Sequence, residues 1–116
     1  MKPIAIYGAG GFGLEVAMLI EQINEVSPQW HILGFFDDNI AIGTKKNDYS
    51  VLGGIKKLNS WNENLAIAFA FGMPKIKKKV IEKVDNPNLD FPSLIHPSAI
   101  IGNKYFAATF YQTSVF

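Results

Sequence analysis

The chain has 116 residues, 48% of them hydrophobic and 18% charged, a balance that fits one ordered globular domain with a substantial core and argues against disorder. Its formal net charge is +1 and its 11 basic residues are all lysines, so it has neither the basic footprint nor the arginine forks expected of a nucleic-acid binder. Cysteine is absent, which excludes disulfides, thiolate nucleophiles and zinc–thiolate sites; no apolar run reaches the length of a membrane span or a signal-peptide core, and a soluble, cytoplasmic protein is expected.

Ile4-Ala5-Ile6-Tyr7 reads as a short strand that runs into Gly8-Ala9-Gly10-Gly11-Phe12-Gly13, with a helical pattern from Leu14. Val16, Ile20 and Ile23 recur at helical spacing, so this helix lays one face on a sheet before Ser27-Pro28 ends it. His31 to Phe36 is a second strand closing on Asp37-Asp38, and residues 39–50 read as a polar, mobile loop. Val51-Leu52-Gly53-Gly54 forms a short element followed by about a turn of helix through Ile55 and Leu58. Leu65 to Phe71 is almost continuously apolar, as expected of a central parallel strand covered on both faces. Gly72-Met73 then leads to Pro74, which suits a first helical turn, and Ile76, Val80, Ile81 and Val84 line one face of a lysine-rich helix. Phe91 to Ile95 is the last strand. Strands alternating with helices imply right-handed crossovers and an α/β, Rossmann-like, three-layer parallel sheet.

A bare G-x-G-x-x-G is common. Here it lies between a strand and a helix, where glycines permit a tight turn and close approach of a ligand, and where the helix N-terminus favours an anion such as a phosphate. Asp37 and Asp38 stand at about the 20-residue separation expected of a carboxylate that reaches a ribose hydroxyl. In such a sheet Gly8, Gly10, Gly11, Gly13, Asp37 and Gly72 all come to the carboxyl edge, in one pocket. Asp37, the first residue after the strand, is the better ribose ligand. A polar turn remains an alternative for the two aspartates, and acid–base work a lesser one, since no positioned nucleophile accompanies them.

Ile6 to Gly13, Leu33-Gly34-Phe35-Phe36-Asp37-Asp38-Asn39, Val51 to Gly54, Phe71-Gly72-Met73-Pro74 with Lys77, and Leu94-Ile95-His96-Pro97-Ser98-Ala99 together resemble the N-terminal domain of the PglD/NeuD-like sugar acetyltransferases, over roughly residues 3–102. The resemblance implies a domain that holds a UDP-linked amino sugar in cell-surface glycan biosynthesis, with Gly8, Gly10, Gly11, Gly13, Asp37, Asp38, Gly72 and Lys77 as its contacts. It also implies that a β-helix of hexapeptide repeats, in complete relatives, trimerises, binds acetyl-CoA and supplies the catalytic histidine. Two positions depart from the family's tendencies: Met73 replaces an asparagine amide, and Lys77 puts a point charge where a planar arginine fork is usual.

Residues 1–99 are accordingly expected to form the nucleotide-sugar domain. Residues 100–116 read as a vestigial β-helix start or an aberrant tail, because they carry Tyr105, Phe106, Phe110, Tyr111 and Phe116 without sixfold aliphatic spacing. No catalytic residue, metal site or resident cofactor is expected; the two histidines, His31 and His96, have no ligand spacing, and His96 reads as structural. The family trimer is not expected, and an exposed aromatic tail would pack on its own domain or form a homodimer. Two other readings stand beside this one: an NAD(P)-binding domain of an oxidoreductase or redox sensor, and a truncated interaction module with an empty pocket.

Overall fold

The computed structural model describes residues 1–71 and 73–94 in full and residues 95, 100–101, 104–105 and 110–112 as backbone. The first strand, β1 (Lys2–Tyr7), leads into α1 (Gly11–Val26), followed by β2 (Trp30–Phe36), β3 (Lys45–Lys46), β4 (Tyr49–Gly53), α2 (Ile55–Asn59), β5 (Leu65–Phe69), α3 (Pro74–Lys83) and β6 (Leu89–Asp90). The main sheet has the order β3-β4-β2-β1-β5-β6. Every pairing in it is parallel except the β3–β4 edge. The order reverses at β1, which has β2 on one side and β5 on the other. In open α/β sheets a ligand crevice lies outside the carboxyl ends of the strands at such a reversal.

Strand alternation sorts the core into two faces. Ile4 and Ile6 of β1 and Ala66 and Ala68 of β5 pack beneath Val16, Ala17, Leu19, Ile20 and Ile23 of α1. Ala5, Tyr7, Leu65, Ile67 and Phe69 face the other way, onto Leu58 of α2, the half-buried Val80 and Ile81 of α3, and Val84 just after it. All five residues of β5 are buried, as its continuous apolar sequence requires. This is the three-layer α/β arrangement expected. Asn24 pins the α1–β2 turn, its Oδ1 accepting from the N–H groups of Gln29 and Trp30 and its Nδ2 donating to the Trp30 carbonyl.

Several boundaries differ from the sequence expectation; β5, for one, ends at Phe69 where the apolar run continues to Phe71. Helix α1 begins at Gly11, three residues before the apolar periodicity does, because the glycine segment itself supplies the first turn. Residues 39–50 are not simply a mobile loop: Lys45–Lys46 pairs antiparallel with Tyr49–Ser50 around Asn47, which takes a left-handed φ of 58°. A two-residue strand of lysines has no apolar alternation by which it could be recognised. The expected strand at 91–95 is shorter, β7 (Ser93–Ile95), and lies outside the main sheet, whose place beside β5 is taken by Leu89–Asp90, a segment not expected to be a strand. The backbone of β7 pairs antiparallel with β10 (Phe110–Gln112), while β8 (Ile100–Ile101) pairs with β9 (Lys104–Tyr105). Leu94 of β7 is buried in the α1-side core. Side chains of the tail aromatics lie outside the described residues. Ile76, expected on the buried face of α3, is instead 44% exposed, since it lies in the first turn, ahead of Val80, Ile81 and Val84, which meet the core.

The β3–β4 hairpin is fastened to α1 by the Tyr49 hydroxyl, which donates to Glu21 Oε2 at 2.8 Å. Partial burial, then the Glu21 hydrogen bond and the charges of Glu21 and Asp48, push the Tyr49 phenol up to about 12. Its folded value lies above its unfolded one, so its contribution to stability is complete below about pH 10 and is lost as pH rises to about 12. Chemical denaturation across that window is expected to show the stability difference between the parent and Tyr49→Phe shrinking with rising pH.

Candidate functional site

The β1–α1 turn is shaped by what presses against it. Gly8 has a φ of +113°, and a Cβ built there would lie 2.7 Å from the Ala70 carbonyl oxygen, so both conformation and space demand glycine. Its N–H donates to the Phe36 carbonyl at 2.8 Å, and the Ala70 N–H donates to the Tyr7 carbonyl at 2.9 Å. The turn is thereby held to the ends of both neighbouring strands. A Cβ at Gly13 would collide with the Gly8 carbonyl oxygen, which lets α1 come down directly on the loop.

Gly10 and Gly11 differ from these two. Both are exposed, and a Cβ on either would meet nothing within 4 Å. They need no glycine for packing, and the space in front of them is open. Gly10 caps α1 without a side-chain hydrogen bond, and no acidic residue stands in the first turn. The partial positive charge of this helix end is therefore not countered from within the helix.

The two aspartates do different things. Asp37, half-buried, accepts the Ala9 N–H on Oδ2 at 2.9 Å and the Asn39 N–H on Oδ1 at 2.8 Å, and its own N–H donates to the Gly53 carbonyl at 2.8 Å. Its carboxylate lies against the glycine turn. A carboxylate has about four lone-pair sites, so two remain for another donor. Asp38 faces away from that turn: Oδ1 accepts the Ile55 N–H at 2.9 Å, and Oδ2 accepts the Tyr7 hydroxyl. It caps α2 from a distance in sequence. A Cβ at Gly54 would meet this carboxylate, so Gly54 gives Asp38 its place.

Tyr7 is only 2% exposed, and its phenol is held far above the ordinary tyrosine value by burial first, then by the hydrogen bond to Asp38 and the charges of Asp38 and Asp37. It stays neutral and donating across the whole working range. Its ring borders Phe69 and Phe71, with centroids 6.2 and 5.8 Å away, in an aromatic cluster extended by Phe91 against Phe69. Sequence reasoning did not single out Tyr7, Gly54 or the start of α2. The available signal was a tyrosine ending a buried strand, since a buried hydroxyl demands a partner.

Of the residues expected at the site, Gly8, Gly10, Gly11, Gly13 and Asp37 meet around the β1–α1 turn, and Asp38 lies beside it behind Tyr7. Lys77 is half-buried on α3, which starts beyond the carboxyl end of β5. Gly72 and His96 lie outside the described residues. Among those described, no group of three or more His, Asp or Glu side chains is arranged to hold a metal ion, and no helix is long and apolar enough to cross a membrane.

Replacing Tyr7 by Phe keeps the ring packing but leaves Asp38 Oδ2 without its donor. The expected loss is about 1.5–3 kcal/mol of unfolding free energy, as for a hydrogen bond to a charged group, read by urea denaturation. A variant as stable as the parent would show that the pair contributes nothing net.

No curated protein matches the chain. A family model does, the PglD N-terminal domain, over residues 3–84, which takes in the glycine turn, both aspartates, α2 and α3. Covering well over half of the chain, that match makes it a member of the PglD N-terminal domain family, a domain of sugar acetyltransferases.

Proposed function

We propose that the chain is the nucleotide-sugar-binding part of a sugar acetyltransferase, and that it binds a UDP-linked amino sugar at the β1–α1 turn. The diphosphate sits before Gly10 and Gly11, on the N-terminus of α1, and Asp37 accepts from the ribose hydroxyls. The reading rests on one observation above all: the Ala9 N–H to Asp37 bond sets a carboxylate with spare acceptor capacity against a glycine turn whose outer side is open. Lys77, in the first half of α3, is assigned to the diphosphate as a point charge. Residues 1–99 form the binding domain in this reading. Its role is to bind and orient the sugar in cell-surface glycan synthesis. No residue described here is assigned to acetyl transfer.

The order of the sheet and the position of Asp37 suit a dinucleotide as well, so the test must separate the two ligands. A thermal-shift panel with UDP, a UDP-amino sugar, NAD and coenzyme A is expected to respond to the first two alone, because a ligand that binds only the folded state raises its stability. A response to NAD alone would overturn the assignment in favour of a redox domain.

Two variants test the placement. Gly11→Val puts a branched side chain into the open space and is expected to abolish UDP binding in calorimetry while the melting temperature holds. Unchanged affinity would remove the glycine turn from the site. Asp37→Ala is expected to weaken binding by about 1.5–3 kcal/mol, whereas Asp38→Ala, which orphans Tyr7 and Ile55, costs stability more than affinity. The reverse order of affinities would move the ribose from Asp37 to Asp38.

A further inference from the structure

The two helical layers carry opposite charge. On one face of the sheet, α1 has Glu15, Glu21 and Glu25, all exposed, and no lysine. On the other, Lys56 and Lys57 of α2 and Lys75, Lys78, Lys79 and Lys83 of α3 are all exposed, against Glu82 on the same helix, Asp38 at the head of α2, and Glu63 and Asp85 nearby. The two short helices form one continuous surface. Asn59 at the end of α2 donates to the Lys83 carbonyl at 2.9 Å and accepts the Asp85 N–H at 2.8 Å.

Helix α3 keeps this charge against its own stability. Lys75 stands in the first turn, where a cation opposes the helix dipole and where no acidic residue offsets it. Lys75, Lys79 and Lys83 follow one another at i, i+4 spacing, so like charges stack along one stripe, and the single acidic residue of the helix, Glu82, stands at i+4 from Lys78 and i+3 from Lys79. None of the ten residues of α3 is buried. Beside the lysines two apolar side chains face solvent, Met73 just before the helix at 59% exposure and Ile76 in its first turn at 44%. An extended anionic surface would relieve the repulsion and cover the apolar pair at the same time.

We infer that the α2–α3 face docks on an anionic lipid bilayer, its lysines against headgroup phosphates and Met73 and Ile76 entering the acyl boundary. Lysines suit this occupant better than a fixed acidic protein patch, because flexible point charges can follow phosphates that move, whereas a protein's carboxylates reward the planar fork of arginine, which the chain lacks. Both helices follow strands of the main sheet and begin at its carboxyl edge, on the face opposite α1. The inference stands on the charge layout and not on the identity of the nucleotide.

Co-sedimentation with phosphatidylcholine vesicles, alone and mixed in equal parts with phosphatidylglycerol, tests it. The parent is expected to pellet with the mixed vesicles at low salt, to ignore pure phosphatidylcholine, and to be released near 1 M salt, where the screening length falls to about 3 Å. The double change Lys78→Glu and Lys79→Glu is expected to lower partitioning at least about 25-fold, at about fivefold for each lysine lost, with the melting temperature kept. Met73→Ser with Ile76→Ser is expected to weaken vesicle binding without changing binding to heparin. No pelleting of the parent at low salt, or charge-reversed protein that still pellets, overturns the proposal. So does a serine variant that binds vesicles as the parent does, since the face would then answer to any polyanion.

Discussion

Helix α1 rests on the β1–α1 turn with no side chain between them. Gly13 has room for a hydrogen and nothing larger against the Gly8 carbonyl, and Gly8 has the same relation to Ala70 across the sheet. Everything at the carboxyl edge follows from these two contacts. They fix how closely the helix approaches β1, hence where its N-terminus points, hence where an anion would sit in front of Gly10 and Gly11. They also bring the turn within reach of β2, so that the Ala9 N–H meets the Asp37 carboxylate, which the Asn39 N–H holds from the other side while the Asp37 N–H donates to the Gly53 carbonyl. The glycines thus divide into two that let the structure close and two that leave a surface open.

The aspartate pair shows a second division. Adjacent residues at the end of a strand point to opposite faces, so a single Asp-Asp sequence serves two layers of the sandwich. Asp37 belongs to the α1 side and its turn. Asp38 belongs to the other, where it joins β1, through Tyr7, to the first N–H of α2. A five-residue helix has little stability of its own, and this one is held by its buried Leu58 and by a carboxylate sent from β2. The neutral, buried Tyr7 phenol is what orients that carboxylate.

Much of this was legible from the chain. The strand–glycine–helix order at residues 4–16, the unbroken apolar run of β5 and Pro74 at the head of α3 each impose a local geometry that the fold keeps. What escaped were features made by contact at long range in sequence. Tyr7 and Asp38 are 31 residues apart, and neither has meaning as a pair until β1 and β2 lie side by side. The lysine strand β3 has no periodicity of its own and becomes a strand by pairing with β4. Leu89–Asp90 is recruited by β5 in the same way, ahead of the strand expected from Phe91. Gly72, His96 and the side chains of the aromatic tail fall outside the described residues, so the readings made of them stay as expectations.

The main sheet ends on both sides in strands of two residues, β3 and β6. A β-sheet edge is a template on which another chain can add a strand, and the hazard grows with the length and flatness of the free edge. Here one border is two lysines turned back on β4 by the bend at Asn47, so two copies approaching through it would meet as like charges. The other border is brief and carries Asp90, exposed at its end. Sheet extension from molecule to molecule is thus discouraged at both margins, and the apolar strand β1, paired along both sides by β2 and β5, is shielded at the centre from the aggregation its sequence would otherwise invite.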